Sequence, residues 1–139
     1  MSSTIPVGIA GLGHYVPEQT LDNDWFAQHI ETSNEWIQQR TGIIERRWLP
    51  EGKTTSDIFI EAGRLAMERA GVLPEEIDLI VVGTISGDYL AMPATACIVQ
   101  DKLGCKNAWA FDLNAACTGF LYSLAVGQQF IASGTHKNV

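Results

Sequence analysis

The stretch Ile77-Asp78-Leu79-Ile80-Val81-Val82-Gly83-Thr84-Ile85 is almost continuously apolar and rich in β-branched residues. It lacks the apolar–polar alternation of a strand with one wet face. A strand of this kind is covered on both sides, as in a parallel sheet flanked by helices. Ala108-Trp109-Ala110-Phe111-Asp112-Leu113 reads as another strand, and Val7-Gly8-Ile9-Ala10-Gly11-Leu12 as an earlier one, ended by His14-Tyr15-Val16-Pro17. Segments of helical period lie between them. One runs from about Thr55 to Ala70, with Ile58, Ala62, Leu65, Ala66 and Ala70 on one face and Gly71 as its stop. The next opens at Pro93, whose missing N–H costs nothing in a first turn, and closes at Gly104. A further helix is predicted from about Thr118 to Ser133, ending at Gly134. Strands separated by helices of this length build βαβ units on a mostly parallel sheet, so the expected class is α/β.

Ahead of these units, Leu21, Trp25, Phe26 and Ile30 recur at helical spacing, with Asp22 or Asn23 as the cap. Thr32 and Glu35 form the capping-box pattern of a second short helix. Trp36 then falls in its first turn and Arg40 one turn later on the same face, before Thr41-Gly42 ends it. A chain of 139 residues that is 46% hydrophobic can bury one core, so a single domain over 1–139 is expected. Only 18% of residues are charged, against roughly a quarter in soluble domains. That points to an element buried on both faces or to a large partner surface. After Gly134 the pattern calls for another strand, yet the chain stops at Val139. A truncated domain is therefore expected.

The net charge of −7 argues against nucleic acid as the partner, although a few placed arginines can still hold a small anion. No apolar run approaches the roughly 18 residues that span a bilayer, so no membrane partner is expected. Met1-Ser2-Ser3-Thr4-Ile5-Pro6 has neither the basic start nor the apolar core of a leader. The three cysteines, at 97, 105 and 117, form neither an even framework nor a CxxC pair. Free thiols in a cytoplasmic setting follow. His14, His29 and His136 do not cluster at ligand spacing, so no metal site is expected. Gly11-Leu12-Gly13 lacks the third glycine of a dinucleotide loop, and Pro17 interrupts the helix such a loop needs.

The segment Asp112-Leu113-Asn114-Ala115-Ala116-Cys117-Thr118-Gly119-Phe120 carries the sharpest chemical signal. A buried strand ends, small residues turn the chain, and a cysteine stands where an apolar helix begins. A helix N-terminus presents unpaired N–H groups and a partial positive charge, which favour the thiolate, the nucleophilic form of cysteine. The backbone N–H of Cys117 would be a donor to an oxyanion. From position alone, a lone cysteine in an apolar segment is more often a small buried hydrophobe than a nucleophile, and Cys97 and Cys105 are read in that way, as packing residues. Trp36 beside Arg40 suits a nucleotide, the ring stacking on a base and the guanidinium holding phosphate. A surface cation–π pair, or a buried tryptophan with a solvated arginine, is the alternative. Arg46-Arg47 reads as a solvated face, and His29 as a residue late in a helix.

Taken together, these segments resemble the 3-oxoacyl-(acyl-carrier-protein) synthase III family, initiating condensing enzymes of fatty-acid synthesis with the thiolase-like fold. The resemblance rests on Glu31-Thr32-Ser33-Asn34-Glu35-Trp36-Ile37 with Arg40-Thr41-Gly42-Ile43, on Asp78-Leu79-Ile80-Val81, on Pro93-Ala94-Thr95-Ala96 and on the Cys117 segment. The four stand in the family's order over essentially the whole chain. It implies an α/β thiolase-like N-terminal half with Cys117 as the acylated nucleophile. Trp36, Thr32 and Arg40 would bind coenzyme A. Met92, where relatives often carry phenylalanine, would reach across a homodimer to line the partner's acyl pocket. The implied substrates are an acyl-CoA, usually acetyl-CoA, and malonyl-acyl carrier protein, with no cofactor beyond the coenzyme A thioester itself. The family's catalytic histidine and asparagine come from the C-terminal half, and none of His14, His29 and His136 lies in a matching motif. The chain alone is therefore expected not to condense. Two other readings stand beside this one: a secondary-metabolite condensing or acyl-transferring enzyme of the same fold, and a non-catalytic assembly fragment.

Overall fold

The computed structural model describes residues 5–139. Met1-Ser2-Ser3-Thr4, the start of the stretch read as lacking a leader, lies outside the described residues. The chain divides into two compact units, Val16–Lys53 and the combination of Met1–Tyr15 with Thr54–Val139.

In the smaller unit β1 (Thr20–Asp22) leads directly into α1 (Asn23–Ala27), and α2 (Asn34–Thr41) leads back to β2 (Glu45–Arg47). The two strands pair antiparallel, Leu21 opposite Arg46. Asp22 is the cap of α1, its carboxylate accepting the Trp25 N–H at 2.8 Å. Leu21 belongs to β1, not to the helix expected around it, because the strand ladder claims its backbone. The hub is Asn23, only 1% exposed. Its amide nitrogen donates to the Ile43 carbonyl at 2.8 Å and to Asn34 Oδ1 at 3.0 Å. Its Oδ1 accepts from Arg46 Nη2 at 2.6 Å. Arg46 also donates to the Leu21 carbonyl and lies 4.5 Å from the Phe26 ring centroid. The expected solvated face is thus corrected at Arg46: a guanidinium has enough donors to satisfy a strand carbonyl and a buried amide at once. His29 stacks on the Trp25 ring at 4.1 Å, just past the end of α1.

The larger unit contains α3 (Thr55–Ala70), β3 (Leu79–Gly83), α4 (Thr95–Leu103), β4 (Trp109–Leu113) and α5 (Gly119–Ala132). Gly71 and Gly104, at φ 66° and 77°, end α3 and α4 in the left-handed conformation that glycine adopts without steric cost. β3 and β4 pair parallel with Leu79 opposite Trp109 and Gly83 opposite Leu113, joined through α4. Ile60, Val82, Ala96 and Val99 form the buried cluster, with Phe59, Ile80, Leu103 and Ala110 packed on it. Each large aliphatic side chain buried there contributes about 2 kcal/mol.

Residues 7–12 do not form the expected strand; among the described residues they join neither sheet. The stretch lies against α3. A Cβ on Gly11 would collide with the Ala66 carbonyl, and one on Gly13 with the Ala62 carbonyl. The chain is thus held by close approach to a helix, where the apolar pattern alone suggests a ladder. Among the described residues no helix is long and apolar enough to cross a membrane. α5 is apolar around most of its circumference, yet Phe120, Leu121, Tyr122 and Leu124 are exposed and only Gly119 and Gly127 are buried.

Candidate functional site

Beyond β4 the backbone turns within three residues. Ala115 sits at φ −144°, ψ 26°, and Ala116 follows at φ 46°. A left-handed alanine costs about 1 kcal/mol and persists only where its surroundings hold it. Here Thr118 does so from the far side of Cys117, its N–H and its hydroxyl both donating to the Ala115 carbonyl, at 3.1 and 2.7 Å. Ala116–Thr118 form one 3₁₀ turn, and α5 starts at the buried Gly119. Cys117 stands on this turn with its side chain exposed. Behind it, a Cβ added to Gly83 would lie 3.0 Å from the carbonyl carbon and oxygen of Gly119 and 2.9 Å from Ser123 Oγ. The end of β3 and the start of α5 therefore touch backbone to backbone, and this contact sets the height of the turn. Ser123 Oγ is buried there without a hydrogen-bond partner.

The other thiols differ. Cys105 is fully buried, and burial, with Glu75 nearby, pushes its thiol up from the ordinary value. Cys97 does not fit the packing role assigned to it: it is exposed on α4, with Sγ 3.8 Å from the Ala110 carbonyl of β4. It lines a shallow apolar hollow of about 630 Å³ together with Ala91, Met92, Pro93 and Ala94. Met92 itself is 84% exposed.

In the smaller unit Trp36 lies in the first turn of α2, half exposed, with the Arg40 guanidinium 5.8 Å from its ring centroid. Glu31, Thr32, Ser33 and Trp36 line a hollow of about 270 Å³. The helix cap differs from the expected one. Ser33, not Thr32, is the N-cap, its hydroxyl accepting the Trp36 N–H at 3.1 Å. The shift of one residue frees Thr32, whose Oγ1 is buried without a hydrogen-bond partner at the hollow. The structure thus brings Thr32 and Trp36 to one hollow at the start of α2, while Arg40, in the last turn, reaches the Trp36 ring without lining the hollow. Cys117 and Met92 are carried by two loops of the larger unit, one following β4 and one preceding α4. Among the described residues no cluster of His, Cys, Asp or Glu could hold a metal ion.

Sequence reasoning passed over Asp112. At the end of β4 its carboxylate accepts the N–H groups of Thr95 and Ala96, both at 2.8 Å, and so caps α4. The signal was an acidic residue closing an otherwise apolar strand.

The 3-oxoacyl-(acyl-carrier-protein) synthase III family model matches residues 111–139, the Cys117 turn and all that follows it. The β-ketoacyl-(acyl-carrier-protein) synthase III of Clostridium perfringens is 53% identical over 130 residues, covering 94% of this chain and 40% of the relative. The crystal structure of the 3-oxoacyl-(acyl-carrier-protein) synthase III of Aquifex aeolicus superposes with a TM-score of 0.85 at 42% identity, over 91% of this chain and 40% of that one. A priming β-ketosynthase from a polyketide biosynthetic pathway superposes with a TM-score of 0.84 at 37% identity, over 91% of this chain and 37% of its own. The chain thus spans about two-fifths of the length of the curated relatives it matches. In sequence and in its thiolase-like α/β fold, this chain belongs to the 3-oxoacyl-(acyl-carrier-protein) synthase III family.

Proposed function

We propose that these residues form the acyl-accepting part of an enzyme that starts fatty-acid synthesis by condensing an acyl-CoA, acetyl-CoA first, with malonyl-acyl carrier protein. The observation that carries this is Cys117, exposed on a strained turn between a parallel strand and an apolar helix. Its sulfur attacks the acyl carbonyl carbon; a carbon–sulfur bond forms, the bond to coenzyme A breaks, and the thiol proton ends on the departing coenzyme A. The backbone N–H of Cys117 is the natural donor to the transient oxyanion, since the N–H groups of Thr118 and Gly119 close the turn on Ala115 and Ala116. Malonyl-acyl carrier protein then loses carbon dioxide, its carbanion equivalent attacks the thioester carbonyl, and the Cys117 sulfur leaves. Residues outside this chain would promote that second half. His136 is packed between Trp109 and Phe130, and His29 is stacked on Trp25.

Trp36 would stack on the adenine, with Arg40 on phosphate and the unpaired Thr32 hydroxyl as a ready polar contact. Met92 would line the acyl pocket of the second subunit in a cytoplasmic homodimer, and no cofactor besides the coenzyme A thioester is needed. Intact mass after addition of acetyl-CoA to a full-length protein carrying these residues tests the proposal: an acetyl adduct should appear and vanish in Cys117→Ala. Label retained by that variant would overturn it.

The likeness to a polyketide priming ketosynthase favours a second reading, a condensing enzyme of secondary metabolism. Preference for longer or branched acyl-CoA over acetyl-CoA would select it. A soluble monomer that takes no acyl group would favour an assembly fragment instead.

A further inference from the structure

The loop that bears Met92 is tied at its neck and loose at its tip. From Tyr89 to Pro93 every residue is exposed. On one side of this stretch the Asp88 N–H donates to Thr95 Oγ1 at 3.1 Å, so the first residue before the exposed stretch is bonded to the first residue of α4. Each end of that bond is anchored again. The Asp88 carboxylate accepts the Ser56 N–H at 2.9 Å and the Thr54 hydroxyl at 3.0 Å, which fastens it to the start of α3. Thr95 is 1% exposed, and its own N–H goes to Asp112, five residues ahead of Cys117 on the segment that carries the thiol. Gly87 fits this neck because it lacks a side chain: a Cβ there would come within 2.6 Å of Thr95 Oγ1.

We infer that Asp88, closing the neck of the 89–94 loop on Thr95, is a positioning residue that sets where Met92 stands and thereby the acyl length the enzyme accepts. This rests on the acyl-accepting function proposed above. Asp88 touches no substrate; it acts through the loop. An apolar pocket discriminates chain length by how closely its wall fits, and each methylene of fit is worth about tenfold or more in rate. A wall carried on an exposed loop holds that fit only if the loop's base is fixed. At that base the Asp88 carboxylate accepts two charge-assisted bonds from the start of α3, and its backbone N–H donates to Thr95, so the side chain holds in place the backbone that closes the neck.

The test compares kcat/KM for acetyl-CoA and hexanoyl-CoA in a full-length protein carrying these residues. Asp88→Ala should raise the hexanoyl-to-acetyl ratio roughly tenfold. Gly87→Ala presses on Thr95 Oγ1, the acceptor of the Asp88 N–H, so it disturbs the same neck from its other side and should move the ratio in the same direction, which covers the case of an Asp88→Ala protein that does not fold. Asp88→Asn keeps an acceptor for Ser56 and presents an amide to the Thr54 oxygen, so it should restore the wild-type ratio. Val99→Ala destabilises the same unit from its buried core and should leave the ratio unmoved. An unmoved ratio in Asp88→Ala and Gly87→Ala, or an equal shift in Val99→Ala, overturns the inference while Cys117 still acylates. A wild-type protein that takes no acyl group on Cys117 overturns the proposed function and this inference with it.

Discussion

Asn23 in the smaller unit and Leu79 in the larger are both almost completely buried, yet they stabilise by opposite means. Leu79 contributes contacts and lost apolar surface at the start of a parallel strand. Asn23 contributes three hydrogen bonds that join α1, α2, β2 and the turn between them, in a unit whose strands are three residues long. A unit that small has little aliphatic core to draw on, so polar connections and the Trp25, Phe26 and Trp48 cluster carry it. The larger unit can leave its functional turn strained, because a helix–sheet core holds it; the smaller unit presents Trp36 and Arg40 from a helix tied down by side-chain amides. The lesson is that the two candidate binding elements should fail differently when disturbed.

Leu79→Ala should have the largest effect, about 3 kcal/mol of stability, from lost burial and the cavity left behind. Amide exchange should show the loss at β3 and β4 alone. Equal loosening of β1 and β2 would break the contrast between the units. Asn23→Ala should cost about 2 kcal/mol, because the Ile43 carbonyl and Arg46 lose a partner in a half-buried setting. Its signature is faster exchange in α2 and a raised KM for acyl-CoA with Cys117 still reactive. Thr32→Val sharpens the comparison from the other side. Removing a buried hydroxyl without a partner should stabilise by about 1 kcal/mol while weakening coenzyme A binding; a higher Tm with an unchanged KM would remove Thr32 from the site.

The smallest effect concerns Asp78, whose carboxylate accepts the backbone N–H groups of Asn138 and Lys137 and is held below the ordinary aspartate range by them. A depressed folded-state value means stability present above the ordinary value of 3.8 and lost as pH falls through the depressed one. Exchange protection at Lys137 and Asn138 should therefore persist through mildly acidic pH and fade only in stronger acid. Asp78→Asn should flatten that dependence.

What the sequence disclosed was local chemistry. Gly42, Gly71 and Gly104 each end a helix where a left-handed residue was expected, and the β-branched run at 79–83 is the strand its composition called for. What stayed hidden depends on partners far along the chain. Residues 7–12 have a strand's pattern, but nothing in that pattern says that Ala62 and Ala66 of α3 will stand where a neighbouring strand was expected. Thr32 and Ser33 are equally fit as caps, and only the path of the chain into α2 chooses between them. Arg46 finds its carbonyl and amide across a ladder with no local signal. Cys117 in the larger unit and Trp36 with Arg40 in the smaller were legible as candidates from residue type and spacing. Within the larger unit, Asp88 left no such signal and Asp112 only that of an acidic residue closing an apolar strand, because an aspartate in a loop or at a strand end says nothing of which helix it will cap.

The contact between Gly83 and Gly119 makes position 83 a calibrated spacer under the reactive turn. A single methyl at that point would act as a shim, pressing the start of α5 away by a few tenths of an ångström and carrying the Cys117 turn with it, with no change to the sequence of the turn itself. A set of shims of rising size, alanine and then serine, would convert a static distance into a dose–response curve, with acylation rate read against displacement. Few positions in a protein let the tolerance of a nucleophile's placement be measured without altering the nucleophile or its neighbours.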